Sequence, residues 1–273
     1  MKLENTDITM VVSDFDGTLL RENMKEPSDK FYKVLHEMLN NEIGFIAASG
    51  RQYSNLKRMM AGVEEEIGFI AENGSLVVWK GKIVYKNSIS NEFALSIIEE
   101  LKKEQDVDIY VSGVNSGYIF SSNESLVQKA ENLCTNVVLV KDFVDIKEDI
   151  MKVAAVYKKQ IPEEAKERFR KKFGQEVSIL DSGNGWLDFI PKGSGKGPAL
   201  KILSKIAGFS LDHTVAFGDQ ENDISMFGAV KIGYAMETAY DYVKEAADNT
   251  CKIVEDILWD ALYEQADRRD KTA

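Results

Sequence analysis

Short apolar runs that stop abruptly, with helix-patterned segments between them, constrain this chain more than any other feature. "ITMVVS" (8–13) and "IGFIAAS" (43–49) have the continuous apolar character of strands buried on both faces. Between them, "PSDKFYKVLHEMLNN" sets Phe31, Val34, Leu35, Met38 and Leu39 on one helical face, with Ser28 as N-cap. That is a β-α-β unit. "IGFIAEN" (67–73) gives a third strand after the helical "SNLKRMMAG", and "LVVWKGKIVYK" reads as a hairpin turning at Lys80-Gly81. The pattern resumes later. "GPALKILSKIAG" is a helix, "HTVAFGD" (213–219) a strand, "DISMFGA" a short helix, "VKIGYA" (230–235) a strand and "IVEDILWDALYEQ" a closing amphipathic helix. Alternation of this kind predicts an α/β fold, a parallel sheet with helices on both faces.

The stretch from about 88 to 190 has another texture. "LSIIEELKKE", "VDIYVSG", "GYIFSS", "VVLV", "MKVAAVY", "AKERFRKKFG", "VSILDS" and "WLDFI" predict an α+β module with several strands. The 273-residue length allows one large domain or two smaller ones. A net charge of −11 argues against a nucleic-acid backbone or an anionic membrane as main partner, but not against a small anionic substrate. The charge runs "KKEQ" and "KERFRKK" read as solvated helix faces. His36 and His213 are the only histidines, too few for zinc or Ser-His-Asp chemistry. Cys134 and Cys251 lack metal-ligand spacing and read as buried, reduced thiols. A polar start, "MKLENTDITM", and the lack of any apolar run near ~20 residues point to a cytoplasmic protein. On that reading the N-x-S sequons at Asn73 and Asn123 carry no meaning.

The first strand ends in "SDFDGTLL", with Asp14 and Asp16 one residue apart. Two carboxylates at the end of a buried strand cost free energy unless something positive sits between them. Alternation along an extended strand would put both on one side, and ligand sites in open α/β sheets lie beyond the carboxyl ends of strands. A Mg²⁺ ion suits such a pair; so does a solvated Asp-x-Asp-Gly turn, and the pair alone does not separate the two. Three further places add to it. The second strand ends in "ASGR" (Ser49, Gly50, Arg51), a later one in "GDQEND" (Asp219, Asn222, Asp223), and "PKGSGKGPAL" puts Lys196 at a helix start. A hydroxyl, a lysine and two acid pairs at one sheet edge make a phosphoryl-transfer set. "GSGKGPA" is not a P-loop, because Ile190 and Gly197 occupy the positions of its first glycine and its metal-binding hydroxyl.

"DFDGTL", "ASGR", "GKGPAL" and "GDQENDISM", in that order, resemble the four motifs of the haloacid dehalogenase superfamily, and best its Cof-type branch of small-molecule phosphatases. The resemblance implies a Rossmann-like core and a role for each matching position. Asp14 would attack phosphorus and become an aspartyl-phosphate. Asp16 would protonate the leaving group and then activate water, its main-chain carbonyl joining Asp14 and Asp219 around Mg²⁺. Asp223 would bind a water of the ion's shell or orient Lys196. Ser49 and Lys196 would hold phosphoryl oxygens, and Gly17 and Thr18 would offer backbone N–H groups. Gly50 and Asn222 lie within the same motifs. Arg51 would clamp phosphate or pair with an acid, and Asn73 would contact substrate or serve only as a turn residue. An aspartate at position 16, rather than threonine or no acid, points to a phosphatase or phosphomutase. A catalytically silent binding protein of the same fold is the reading from another class.

From Ser49 to Lys196 there are 147 positions, against roughly 30 residues for a β-α-β step. A module must be inserted there. The resemblance makes it the C2 cap, with a core of 1–86 and 191–273 and a cap of 87–190; an independent domain sharing the chain is the alternative. A cap would admit a small phosphorylated metabolite while limiting water, with "DSGNGWLDF" among its selective loops. No nucleic-acid or membrane partner is expected, and the sequence leaves protein partners open.

Overall fold

A computed structural model describes residues 7–21, 23–120, 124–131 and 134–262. The sequon at Asn123 and positions 263–265 of the expected closing helix lie outside them. The first β-α-β unit follows the pattern. β1 (Met10–Ser13) and β2 (Gly44–Ala48) run parallel, with Val11 opposite Phe45 and Val12 opposite Ile46. α1 (Asp29–Asn40) joins them, and the Ser28 hydroxyl accepts the Phe31 N–H at 3.0 Å. Phe31, Val34, Leu35 and Met38 are buried and Leu39 is partly so. α2 (Tyr53–Met59) leads to β3 (Gly68–Ala71), and β4 (Leu76–Trp79) with β5 (Lys82–Lys86) forms the hairpin. Lys80 and Gly81 turn it at φ 48° and 76°, the left-handed pair that matches strand twist in a tight hairpin.

The middle of the chain builds a second sheet. It comprises α3 (Asn91–Leu101), β6 (Val107–Gly113), β7 (Gly117–Phe120), α4 (Glu124–Glu131), β8 (Val137–Val140), β9 (Ile150–Tyr157), α5 (Glu163–Phe173), β10 (Val177–Asp181) and β11 (Trp186–Pro191). The strand order is β10-β11-β9-β6-β7-β8, antiparallel except for β7 against β8. "KKEQ" falls just beyond α3 rather than on it, because Leu101 is the last residue of that helix to pack into the core. One face packs α3 and α5, through Ile97, Ile98, Phe169 and Phe173, against Val111, Val153, Ala155, Leu187 and Phe189. The opposite face has Tyr110, Ala154, Val156 and Trp186 in its apolar part. The two-residue period of a strand puts Ser112, Lys152 and Asp188 on that same face.

The chain then returns to the first sheet. α6 (Lys196–Ala207), β12 (Thr214–Gly218), α7 (Ile224–Phe227), β13 (Ile232–Met236), α8 (Asp241–Glu245), β14 (Asn249–Cys251) and a helix described over 254–262 complete it. The order is β14-β13-β12-β1-β2-β3-β4-β5, parallel except for the hairpin strands. From β1 the chain winds one way through β2 and β3 and the other way through β12 and β13, so β1 is the switch point where such sheets open a crevice. Its residues alternate accordingly. Val11 joins the core under α1, whereas Met10 and Val12 join Ala199, Leu200 and Leu203 of α6 on the other face. Cys134 and Cys251 are buried and unpaired, as their spacing suggested. Among the described residues no helix is long and apolar enough to cross a membrane.

Candidate active site

Every expected motif converges on the carboxyl end of β1. That strand stops at Ser13, so Asp14 and Asp16 stand in the following turn rather than on one alternating strand face. They differ sharply. Asp14 is 5% exposed and its N–H donates to the Phe217 carbonyl at 3.0 Å, which ties the turn to β12. The Asp16 side chain is 52% exposed.

Lys196, the first residue of α6, is only 1% exposed, and its Nζ bridges Asp14 Oδ1 at 2.5 Å and Asp223 Oδ1 at 2.6 Å. The other Asp223 oxygen accepts the N–H groups of Asp219 (2.9 Å) and Gln220 (3.0 Å), fixing the loop after β12. Of the two roles open to Asp223, the geometry favours orienting Lys196. Asp219 accepts from the Thr18 hydroxyl at 3.1 Å and from Gln220 Nε2 at 2.9 Å. It reaches this position only because residue 17 is glycine: at φ 85°, an added Cβ would sit 2.1 Å from Asp219 Oδ2.

The backbone N–H groups expected to meet phosphate are committed elsewhere. Gly17 N–H donates to Leu20 O at 3.0 Å and Thr18 N–H to Phe15 O at 3.3 Å, because the turn closes on itself. Gly17 serves the approach of Asp219, and Thr18 serves its carboxylate.

Carboxylate oxygens of Asp14, Asp219 and Asp223 all lie within 4.8 Å of one another, and all three residues are buried. Burial pushes the Asp14 carboxyl well above its usual range, with Asp223 and Asp219 adding to the rise against the pull of Lys196. Burial, then the neighbouring Asp223 charge, pushes Asp219 up to about 6. Desolvation works against the Lys196 ammonium, but Asp14 and Asp223 outweigh it and keep it firmly protonated. One lysine against three acids leaves negative charge that a hard divalent cation, held by oxygens, would balance. The donor set fits such an ion; the Asp16 carboxylate lies outside the cluster.

The second strand end supplies the other wall. Ser49 is buried, and its hydroxyl accepts the Arg51 N–H at 3.2 Å. Arg51 pairs with an acid: Nε meets Asp16 Oδ2 at 2.7 Å and Nη2 meets Asp16 Oδ1 at 2.5 Å. Asn73 is buried, sits at φ 52° and is not among the residues lining the cavity. Its Nδ2 donates to Asp188 Oδ2 at 2.7 Å, and its oxygen accepts from Asn222 at 2.9 Å. It is therefore a bridge between the two sheets rather than a surface offered to substrate.

Lys152 escaped the sequence reading, and Glu72 and Asp188 were not singled out, although Asp188 lies within the "DSGNGWLDF" loop. Lys152 of β9 is buried, donates to the Gly50 carbonyl at 2.7 Å and ion-pairs with Glu72 (3.3 Å) and Asp188 (3.5 Å). Glu72 in turn accepts the Ser112 hydroxyl at 2.5 Å. A lysine within "MKVAAVY" and an aspartate within "WLDFI" were the available signals, since charged side chains are almost never buried unless paired.

Between the sheets lies a cavity of about 150 Å³, smaller than the ~300–1,000 Å³ common for ligand sites. Asp14, Asp16, Ser49, Gly50, Arg51, Gln220 and Asn222 line it from one sheet, and Lys152, Ser182, Gly183, Asn184, Trp186 and Asp188 from the other.

The family model for haloacid dehalogenase-like hydrolases matches residues 11–258. The chain belongs to the haloacid dehalogenase-like hydrolases. This hydrolase is 29% identical over 241 residues to the 5-amino-6-(5-phospho-D-ribitylamino)uracil phosphatase YbjI of Escherichia coli, covering 88% of this chain and 89% of YbjI. It is 25% identical over 246 residues to YcsE of Bacillus subtilis, a phosphatase named for the same compound, covering 90% of each chain. Among solved structures, SMU.1108c of Streptococcus mutans superposes with a TM-score of 0.85 at 29% identity, covering 94% of this chain and 99% of that one. The subclass IIB sugar phosphatase BT4131 shares the fold, with a TM-score of 0.75 at 20% identity over 97% of this chain and all of that one. The Cof-type relationship read from the four motifs thus holds along the chain.

Proposed function

We propose that this Cof-type phosphatase hydrolyses small phosphomonoesters, sugar phosphates or phosphorylated polyols, through an aspartyl-phosphate on Asp14, with residues 87–190 acting as a cap over a core of 1–86 and 191–273. The observation that carries the reading is Lys196, buried and bridging Asp14 and Asp223 beside Asp219. That arrangement aims the Asp14 carboxylate and sets an ammonium against the burial that works to protonate it, as an attacking carboxylate requires. The Escherichia coli and Bacillus subtilis relatives, named for a phosphorylated ribityl compound, support a polyol-like substrate.

In the first step an Asp14 oxygen would bond to phosphorus as the bond to the leaving oxygen breaks, and Asp16 would give that oxygen a proton. In the second, Asp16 would take a proton from a water that attacks phosphorus, releasing inorganic phosphate and the Asp14 carboxylate. The Ser49 hydroxyl and the Lys196 ammonium would hold the phosphoryl oxygens. Arg51 grips Asp16 with two hydrogen bonds, so it must release that carboxylate before a proton can move through it; incoming phosphoryl oxygens are the partner it would take instead. Asp14 and Asp219, with the Asp16 carbonyl, would hold Mg²⁺, with Asp223 orienting Lys196 beside it; the ion when bound would neutralise phosphoryl charge.

Purified protein should cleave p-nitrophenyl phosphate, fall silent in EDTA and recover with Mg²⁺. Activity indifferent to EDTA would remove the metal, and phosphate returned to a second hydroxyl of the substrate instead of to water would make the enzyme a phosphomutase.

A further inference from the structure

Two residues that line the cavity beyond the phosphate corner each carry a buried oxygen acceptor without a partner. Asp188 is asymmetric. Its Oδ2 accepts from Asn73 Nδ2 (2.7 Å) and the Ser182 hydroxyl (2.8 Å) and faces Lys152 Nζ at 3.5 Å, while its buried Oδ1 accepts from nothing. The carboxylate also fixes the amides behind it. Asn73 must turn its nitrogen to Asp188, so its oxygen faces Asn222, whose nitrogen must then donate (2.9 Å). Asn222 Oδ1 is thereby left buried and unpartnered as well. Both residues line the cavity. Buried acceptors are seldom left unpaired, and an exception in a ligand cavity asks for a donor.

Charge narrows the chemistry further. Lys152 is the cation of this corner, yet Glu72 and Asp188 already flank it, so one positive charge faces two negative ones in a buried setting. A second anionic group on a substrate would meet net repulsion here. Ser182, Asn184 and Gln220 add polar, uncharged lining.

We infer that Asp188 and Asn222, aligned by Asn73 and Lys152, select a neutral, polyhydroxylated leaving group whose hydroxyls donate to Asp188 Oδ1 and Asn222 Oδ1. The inference rests on the phosphatase reading and assigns specificity within that site. Because both oxygens are buried, the proposal requires the seam between the sheets to shift on binding so that the hydroxyls reach them.

The test compares ribitol 5-phosphate, n-pentyl phosphate and the ω-carboxylate analogue of n-pentyl phosphate on unmodified enzyme with Mg²⁺. kcat/KM for the polyol should exceed that for the alkyl ester by about 10- to 100-fold, since each acceptor left unpaired is worth roughly tenfold. The carboxylate analogue should be the poorest of the three. Asp188→Asn should reduce the polyol-to-alkyl ratio by about tenfold, because it converts half of the acceptor pair to an amide. Equal kcat/KM for polyol and alkyl esters, or a preference for the carboxylate, overturns the inference while the phosphatase reading stands. An unchanged ratio in a folded Asp188→Asn protein also overturns it; where that variant does not fold, the comparison on unmodified enzyme decides. Failure to cleave any of the three esters, with p-nitrophenyl phosphate also inert, overturns the phosphatase reading itself.

Discussion

Replacing Asp219 by asparagine should make the metal-free protein more stable while removing its response to Mg²⁺. Burial, with Asp223 beside it, holds the Asp219 carboxyl at about 6 instead of its ordinary value of 3.8. Keeping it ionised in the folded protein then costs about 3 kcal/mol, at about 1.4 kcal/mol per tenfold. The folded pKa lies above the unfolded one, so this cost is absent below 3.8, grows between 3.8 and about 6, and is complete above that. Asparagine carries no charge, and Thr18 can still donate to its oxygen while the Gln220 amide turns to accept. In EDTA at pH 8 the variant should melt about 5 °C or more above the parent, with about half the difference at pH 5. Mg²⁺ at 100 times its dissociation constant would add about 2.7 kcal/mol to the parent and little to the variant, nearly closing the gap. Differential scanning fluorimetry at two pH values, with EDTA or Mg²⁺, reads all four numbers. A variant less stable than the parent in EDTA at pH 8 would refute the reasoning, showing that hydrogen bonds alone satisfy the Asp219 carboxylate.

Other consequences concern single side chains. Asp14→Asn should lower p-nitrophenyl phosphate turnover by a factor of about 10⁴ or more with an unchanged circular dichroism spectrum; near-normal rates would exclude Asp14 as nucleophile. Lys196→Met strands Asp14 and Asp223 as buried charges and should cost about 3–5 kcal/mol in urea unfolding. Lys152→Met should destabilise by a similar ~3–5 kcal/mol, because Glu72 and Asp188 stay buried without their cation. Arg51→Ala, by contrast, removes the partner of a half-exposed carboxylate and should change stability by about 1 kcal/mol or less. A larger loss would show that the Arg51–Asp16 pair holds the turn after β1 in place.

The β-α-β periodicity was legible from Phe31, Val34 and Met38 alone, because a continuous apolar strand beside a 3.6-period helix has few other solutions. The convergence of Asp14, Lys196, Asp219 and Asp223 was legible too, since strand ends in a parallel sheet share one edge. What stayed hidden depends on tertiary pairing. β14 is three residues, "NTC", and forms only because β13 presents an open edge. Glu72, Lys152 and Asp188 are far apart in sequence, so no local spacing relates them. Asn73 resembled a turn residue and is one, with φ 52°, but its side chain also joins the two sheets. The amides of Gly17 and Thr18 misled because a glycine after an acid fits an anion loop as well as it fits a turn that lets Asp219 approach.

The central claim is that phosphorus becomes bonded to Asp14. In Asp16→Asn protein, p-nitrophenolate needs no protonation to leave, but water attack on the intermediate lacks its base, so the phosphoryl-enzyme should accumulate. Mass analysis of acid-quenched, digested protein should find a phosphoryl group on the peptide bearing Asp14, after a burst of p-nitrophenolate. A burst-free time course with no adduct, or an adduct on any other peptide, would contradict it.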